Sequence, residues 1–434
     1  MKSPPWFIPW RVSCLIAGSA LSCAAWAQAP TPQSSSSGAA AVAPPGDVSS
    51  PSRLTLAQAL DRAWARSLAS AEASGRQRQA DAEQRVARTW LAGPPTLEVL
   101  QREGRGSAAE GARETEVGIA LPLWRYGQRD RNGQTAQAES DWARAAEQAA
   151  RLRLAGEVRD LASRLELAQG DATLARLQRR SLEELSDDVA RRVQAGDLAP
   201  SDAMAAKADL IAARAAEREA ELGLSAQRSA WLLLTGTASS PALDLSSADP
   251  VSSAEMLLNR HAEMLLAEAA VQRARQRVAQ VQSQSAAAPE LGIGVRQDRP
   301  GLGQSHQNSL AVSLRVPFGS EAHNQPRLAA ALADQDVALM ARQQVRLRLA
   351  AELDLAQAQQ DAMASQAAAE RERAHLLRHR ARLLKQSFDA GETALPELLR
   401  ALAAASQAEA AAARQQVALA QARGRLHQAL GQLP

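Results

Sequence analysis

Cysteine is almost missing from this chain. The 434 residues hold two, Cys14 and Cys23, both within the first 27 positions. Once that segment is removed, no disulfide, thiolate metal site or cysteine nucleophile can form. Aromatics are scarce, at 3%: eight Trp, three Phe and one Tyr. A thick globular core needs bulky side chains, whereas alanine lets helices pack at close range. Hydrophobic residues still reach 46%, with alanine prominent, as in long helices and coiled coils. Lysine occurs only at positions 2, 207 and 385, so nearly all positive charge is arginine. Fifty basic and 47 acidic residues leave a net charge of +3, a balance that does not point to nucleic acid. Beyond the N-terminal segment there is no run of about 18 apolar residues, so any crossing of a membrane must use strands.

Residues 1–27 read as a secretory signal. Lys2 and Arg11 supply its positive start, Val12 to Ala25 is short and mostly apolar, and Ala25-Trp26-Ala27 is a small-x-small cleavage site. Gln28 then begins the mature chain. The alternative is lipidation at Cys23, since Leu21-Ser22-Cys23 faintly resembles a lipoprotein site, although Ala20 suits it poorly. Residues 28–52 are rich in Pro, Ser and Ala and read as a disordered linker.

The rest is duplicated. Val117-Gly118-Ile119-Ala120-Leu121-Pro122-Leu123 has a counterpart 195 residues later in Val312-Ser313-Leu314-Arg315-Val316-Pro317-Phe318. Ala195-Gly196-Asp197 and Ala390-Gly391-Glu392 stand at the same offset, as do Gly236 and Gly431. Pro95 and Pro289 are 194 apart, which implies one indel. Three landmarks at one spacing define two copies, 53–247 and 248–434.

Each copy has the same order. An amphipathic helix runs from Leu54, with Thr55 as N-cap, to about Trp90, and from Ala254 to about Ser285; Pro94-Pro95 and Pro289 end these helices. Two alternating runs follow: Leu97 and Val99 with Val117, Ile119 and Leu121, then Leu291, Ile293 and Val295 with Leu310, Val312, Leu314 and Val316. Glu98, Glu116, Arg296 and Arg315 lie between them, so each run predicts a strand with one apolar and one polar face. The connections, about 102–113 and 297–308, make each pair a hairpin. Long helices then span about Gln128 to Gln194 and Arg327 to Asp389, rods roughly 90–100 Å long. They end at Gly196 and Gly391, and Pro200 and Pro396 begin shorter returning helices. Trp64, Trp90, Trp142 and Trp231 fall on helices and read as core. The expected fold is mainly α with a small β part.

Four strands cannot close a barrel, because the smallest membrane barrels have about eight. If the hairpins span a membrane, several chains must share one barrel; three copies would supply twelve strands.

This order, twice over, resembles the TolC-like family of trimeric outer-membrane efflux channels. Leu121-Pro122-Leu123-Trp124-Arg125-Tyr126-Gly127-Gln128-Arg129 is most similar to members serving heavy-metal pumps. The resemblance implies a homotrimer with a shared β-barrel in outer-membrane lipid and a helical barrel in the periplasm. It implies a periplasmic adaptor protein and an inner-membrane pump, of the resistance-nodulation-division type, as partners. It places Gly196, Asp197, Leu198, Gly391, Glu392 and Thr393 at a periplasmic tip that docks the adaptor, although helix capping alone would also account for these turns. It makes Glu397 a constricting acidic ring. A second acidic ring would fall at Arg400, where this chain departs from the pattern, so Glu397 and Arg400 could instead pair locally. It makes Asp202 a residue holding the closed state; the competing reading is a helix-dipole residue. Trp124, Tyr126 and Phe318 follow strand ends and suit a membrane interface, or packing at the strand–helix junction. His375 and His379, one helical turn apart, lack a third metal ligand and read as solvated. No triad, nucleophile elbow, paired-carboxylate site or phosphate loop is present, so neither an enzyme nor a cofactor is expected. The competing function is a soluble periplasmic coiled-coil scaffold or adaptor.

Overall fold

The computed structural model describes residues 54–104, 111–239, 241, 254–284, 287–301, 303–318 and 321–434. The signal segment and the linker expected over 1–27 and 28–52 lie outside these residues. Helices α1 (Leu56–Arg66) and α2 (Leu68–Arg88) lead into strands β1 (Thr96–Glu103) and β2 (Arg113–Pro122). Helices α3 (Gln128–Ala195) and α4 (Pro200–Thr235) complete the first set. Helices α5 (Ala254–Arg260) and α6 (Ala262–Ser283), strands β3 (Glu290–Arg299) and β4 (Gln307–Arg315), and helices α7 (Glu321–Asp389) and α8 (Leu395–Ala429) repeat the order.

The first helix of each set is split, contrary to the single helix expected from sequence. Thr55 does cap α1: its Oγ1 accepts from the Gln58 amide at 3.2 Å, and the Gln58 side chain accepts from the Thr55 amide. At Ser67 the backbone turns extended (φ −78°, ψ 146°). Ser67 Oγ accepts from the Ser70 amide and donates to the Trp64 carbonyl, so one hydroxyl ends α1 and starts α2. His261 does the same between α5 and α6, 194 residues later. Its Nδ1 accepts from the Glu263 amide at 3.2 Å. That leaves the proton on Nε2, which donates to the Gln428 carbonyl at 3.3 Å.

Glycines close the seam at both breaks. A Cβ on Gly431 (φ +72°) would stand 2.9 Å from the His261 ring, and one on Gly236 (φ +73°) 3.2 Å from the Arg66 guanidinium. Near Gly431, Arg159 is buried with no carboxylate partner among the described residues. Its guanidinium donates to Gln428 Oε1 at 2.7 Å and to the Gln432 carbonyl at 2.8 Å, and burial lowers its pKa to about 10. These bonds tie the C-terminal residues to α3.

The rods are thin, as the scarcity of aromatics requires. Helices α3 and α7 hold 68 and 69 residues, each about 100 Å long. Helix α4 packs along α3, and α8 along α7. On α7 the buried residues Ala367, Ala374, Ala381 and Phe388 recur every seven positions, the spacing of a left-handed helix pair. Helix α7 begins before the expected Arg327 and runs through Pro326, whose ring removes one backbone bond. Asn324 Nδ2, donating to the Val281 carbonyl at 2.9 Å, fastens that turn to α6. The widest core gathers Leu56 and Leu60 of α1, Leu154, Val158, Leu161 and Leu165 of α3, and Leu224 and Trp231 of α4.

The four strands form one antiparallel sheet in the order β1-β2-β3-β4. Strands β2 and β3 pair from Arg113 opposite Arg299 to Pro122 opposite Glu290, so the two hairpins lie side by side. Among the described residues no helix packs on the sheet. Leu97, Val99, Val117, Ile119, Ile293, Val295, Leu310, Val312 and Leu314 are all exposed on one face. Among the described residues no helix is long and apolar enough to cross a membrane.

His261 sets a pH dependence for this fold. Burial chiefly, with Arg348 nearby, lowers its pKa from 6.5, against the opposing pull of its bond to Gln428 and of Glu263 and Glu352. The unfolded chain therefore takes up the proton first as pH falls. The stabilisation from neutral His261 is complete above about pH 6.5 and is lost below it. His261→Asn keeps a capping oxygen but cannot titrate. Thermal unfolding at about pH 7.5 and 5.5 should show a smaller loss in His261→Asn than in the wild type. Equal losses would exclude His261 as the source. His261→Ala should cost about 1–2 kcal/mol at neutral pH, measured by denaturant unfolding.

Candidate functional site

One end of the rods is built around two glycines. Gly196 (φ +88°) and Gly391 (φ +81°) take the left-handed conformation that a β-carbon would strain. After each, the chain closes back on the helix. The Asp197 amide reaches the Arg192 carbonyl at 2.9 Å, and the Glu392 amide reaches the Ser387 carbonyl at 2.9 Å. Pro200 opens α4 at its first position and Pro396 lies second in α8, where a missing N–H costs nothing. Asp197 and Glu392 are exposed, Leu198 is half-buried, and the half-buried Thr393 donates to Ser387 Oγ at 2.6 Å.

The two turns are packed together by one apolar cluster: Leu185, Val189, Ala206, Phe388, Leu395 and Leu398, with Leu198 against it. Arg192 joins them as well. Its guanidinium lies 4.9 Å from the centre of the Phe388 ring, donates to the Phe388 carbonyl at 3.2 Å and binds Asp188 at 3.0 Å. Sequence reading missed Arg192. Its only signal is a position four residues before Gly196, on the last turn of α3.

The three residues expected at a gate lie just beyond these turns, on the first turns of the returning helices. Asp202 is half-buried, and its amide bonds the Ala199 carbonyl at 3.0 Å. Glu397 and Arg400 are both exposed on α8. The local pair considered for them does not form, and no ion pair among the described residues joins either to Asp202. Two opposite charges therefore stand near the tip without an ion pair among the described residues. Solvent competes well for such exposed ends, and the entropy of fixing two long side chains opposes pairing.

At the far end of the rods, the strand–helix junctions are stitched by backbone. The Leu123 amide donates to the Pro289 carbonyl at 2.7 Å and the Ala92 amide to the Pro122 carbonyl at 2.9 Å. Trp124 donates its indole N–H to the Thr89 carbonyl at 3.0 Å, which fixes this half-buried ring at the junction. Tyr126 and Phe318 are 106% and 92% exposed at the same level. Trp90 joins them at 90% exposed, where core packing was expected. It falls just after the C-cap Thr89, so the helix no longer directs it inward. The other tryptophans also differ. Trp231 is buried and Trp64 packs against the core, but Trp142 is held between arginines, Arg273 at 4.1 Å and Arg76 at 5.6 Å.

The second face of the sheet carries the charges, several of them paired, with Leu100 exposed among them. Glu114 binds Arg102 and Arg296, each at 3.1 Å, Arg296 also binds Asp298 at 2.9 Å, and Arg315 binds Glu290 at 3.1 Å. Among the described residues no group of three or more His, Cys, Asp or Glu could hold a metal ion. His379 contacts Arg382.

No protein-family model matches the sequence, and no curated protein matches it. Solved structures do match. One is CusC, described for conformational changes accompanying folding and transmembrane channel formation: TM-score 0.72, 15% identity, covering 88% of this chain and 93% of that one. The outer membrane protein VceC of Vibrio cholerae matches at TM-score 0.68 and 15% identity, over 87% and 96%. The Campylobacter jejuni CmeC outer membrane channel matches at 0.69 and 15%, over 90% of each chain. With two hairpins at one end of paired long helices, this chain has the fold of the TolC-like outer-membrane channels.

Proposed function

We propose that the chain is the outer-membrane component of a tripartite efflux or secretion system, a passive conduit across the periplasm. The observation that carries this reading is the uncovered sheet. Its apolar face is exposed, its opposite face carries the charged residues, and edges β1 and β4 are unpaired among the described residues. A lipid-facing, water-filled barrel needs that alternation, and lipid forbids open edges. Further copies supply the missing partners, and three chains give twelve strands. A soluble scaffold would leave the apolar face in water.

The helices support an oligomer too. Among the described residues, helix α7 packs along α5, α6 and α8 and meets α3 at its last turn, through Phe388. Its remaining face carries exposed Val337, Met340, Leu347, Leu355, Leu376 and Leu383. A second copy covers that stripe. The tips at Gly196-Asp197-Leu198 and Gly391-Glu392-Thr393 are the docking points for a periplasmic adaptor. A pump in the inner membrane, of the resistance-nodulation-division type, supplies the energy, and the channel hydrolyses nothing. Service to a heavy-metal pump rests on the 121–129 segment alone. Tyr126, Phe318 and Trp90, with Trp124 behind them, stand at the periplasmic edge of the bilayer.

At the tips, Glu397 and Arg400 place rings of opposite charge around the axis, one helical turn apart, and Asp202 lies near them. Glu397→Ala should weaken cation preference in single-channel recordings and Arg400→Ala should strengthen it. Unchanged selectivity in both would remove them from the constriction. The assembly itself is tested by fractionation. The protein should sediment with the outer membrane and run as an oligomer when unboiled. Leu376→Glu combined with Leu383→Glu should reduce that oligomer at least about tenfold, since each charge would be buried at a helix contact. A soluble monomeric wild type would overturn the proposal.

A further inference from the structure

Beyond the apolar band, the outward face of the sheet turns basic. Along β2 that face reads Leu121, Ile119, Val117, then Thr115 and Arg113; along β3 it reads Leu291, Ile293, Val295, then Gln297 and Arg299. The register sets Arg113 directly opposite Arg299. On β1, Glu103 lies opposite Arg113 and pairs with it at 3.1 Å. Arg299 makes no ion pair among the described residues, and its Nε is shielded without a hydrogen-bond partner. Two adjacent arginines thus have a single carboxylate in their row, and it is bound to Arg113.

Like charges directly opposite each other destabilise a strand pair, so the excess charge favours an anion from outside the chain. The neighbouring rows on the polar face make the contrast. There Arg102 and Arg296 are matched by Glu114 and Asp298 in a closed network. The excess positive charge is confined to the side that carries the apolar band. Depth narrows the choice of anion. Four residues, about 13 Å of strand, separate Arg113 from Val117 and Arg299 from Val295, with an uncharged Thr115 and Gln297 row between. In a spanning barrel this row stands at the headgroups of the leaflet distal to the rods. The planar, permanently charged forks of arginine suit phosphate oxygens.

We propose that Arg113 and Arg299 form a binding site for the phosphate groups of the anionic glycolipid in the outer leaflet. The site rests on the outer-membrane reading above. Glu103 orients Arg113, and a lipid phosphate takes the place of the carboxylate that Arg299 lacks.

The test uses the full-length oligomer, stripped of lipid in neutral detergent. It is given bis-phosphorylated lipid A, dephosphorylated lipid A, phosphatidylglycerol or inorganic phosphate. Retained lipid is read by native mass spectrometry and by the temperature at which the unboiled oligomer dissociates. Bis-phosphorylated lipid A should be retained and raise that temperature, and the other three should do neither. Arg113→Gln combined with Arg299→Gln should cut retention about tenfold or more, while Arg102→Gln on the opposite face leaves it unchanged. Should the glutamine pair fail to assemble, Arg113→Lys with Arg299→Lys keeps the charge and should retain less lipid A than wild type. Equal retention by these variants overturns the site, as does equal binding of dephosphorylated lipid A, phosphatidylglycerol or inorganic phosphate. An outer-membrane oligomer indifferent to lipid A overturns this inference alone; a soluble protein overturns it together with the channel.

Discussion

An unpaired strand edge cannot rest in hydrocarbon, because each free N–H and C=O there costs several kcal/mol. Strands β1 and β4 each leave such an edge, and the chain has no further strand among the described residues to cover it. Much of the architecture follows from that constraint. The apolar residues on one face of the sheet have no helix among the described residues to bury them. The sheet is therefore an unfinished wall, and identical copies are the simplest way to finish it. In the proposed trimer, a three-fold axis through such a wall would also run down the rods and align the tips of all three chains around a single opening.

The rods solve a different problem. A helix of nearly seventy residues cannot be stable by propensity alone and must pack along its length. A bulky core would make each rod thick, and thick rods could not curve into a tunnel wall. Alanine at seven-residue intervals on α7 gives a thin seam instead, strengthened at the tip by Phe388. There the two helix pairs of one chain are locked by shared packing and by Arg192. A movement that opens the tips would have to slide that contact or carry both turns as one body. The seam near the middle of the rods holds a different kind of lock, in which Arg159 and His261 engage Gln428 and anchor the C-terminal residues.

The parts most legible in the sequence were those written in proline, glycine and period-two alternation. Gly196 and Gly391 have no substitute at positive φ, and Pro200 and Pro396 fit only the start of a helix, so both turns stood out. The strands were legible because leucine, valine and isoleucine alternate with charge. The breaks at Ser67 and His261 were not. Neither Pro nor Gly marks them; each is made by a side chain that caps the next helix, which an apolar pattern running through both halves conceals. Trp90 was misplaced because its helix ends at Arg88, two residues before the expected Trp90 and well short of Pro94. Arg192 was missed because its partners, Phe388 and Asp389, lie nearly two hundred residues away. That Glu397 and Arg400 do not pair with each other was equally hidden, since helical spacing permits a pair without requiring one. The excess charge at Arg113 and Arg299 emerges only once the register sets those residues side by side.

The most direct measurement concerns the edges themselves. The chain has no cysteine after position 23, so introduced thiols report without background. Val99→Cys on β1 would be combined in turn with Leu310→Cys, Val312→Cys or Leu314→Cys on β4, and cells would be oxidised before the protein is resolved under denaturing, non-reducing conditions. A shared barrel of three chains predicts that one of these registers yields covalent dimers and trimers, with the ladder stopping at three. Monomer in every register, from protein that fractionates with the outer membrane, would contradict β1–β4 pairing between chains.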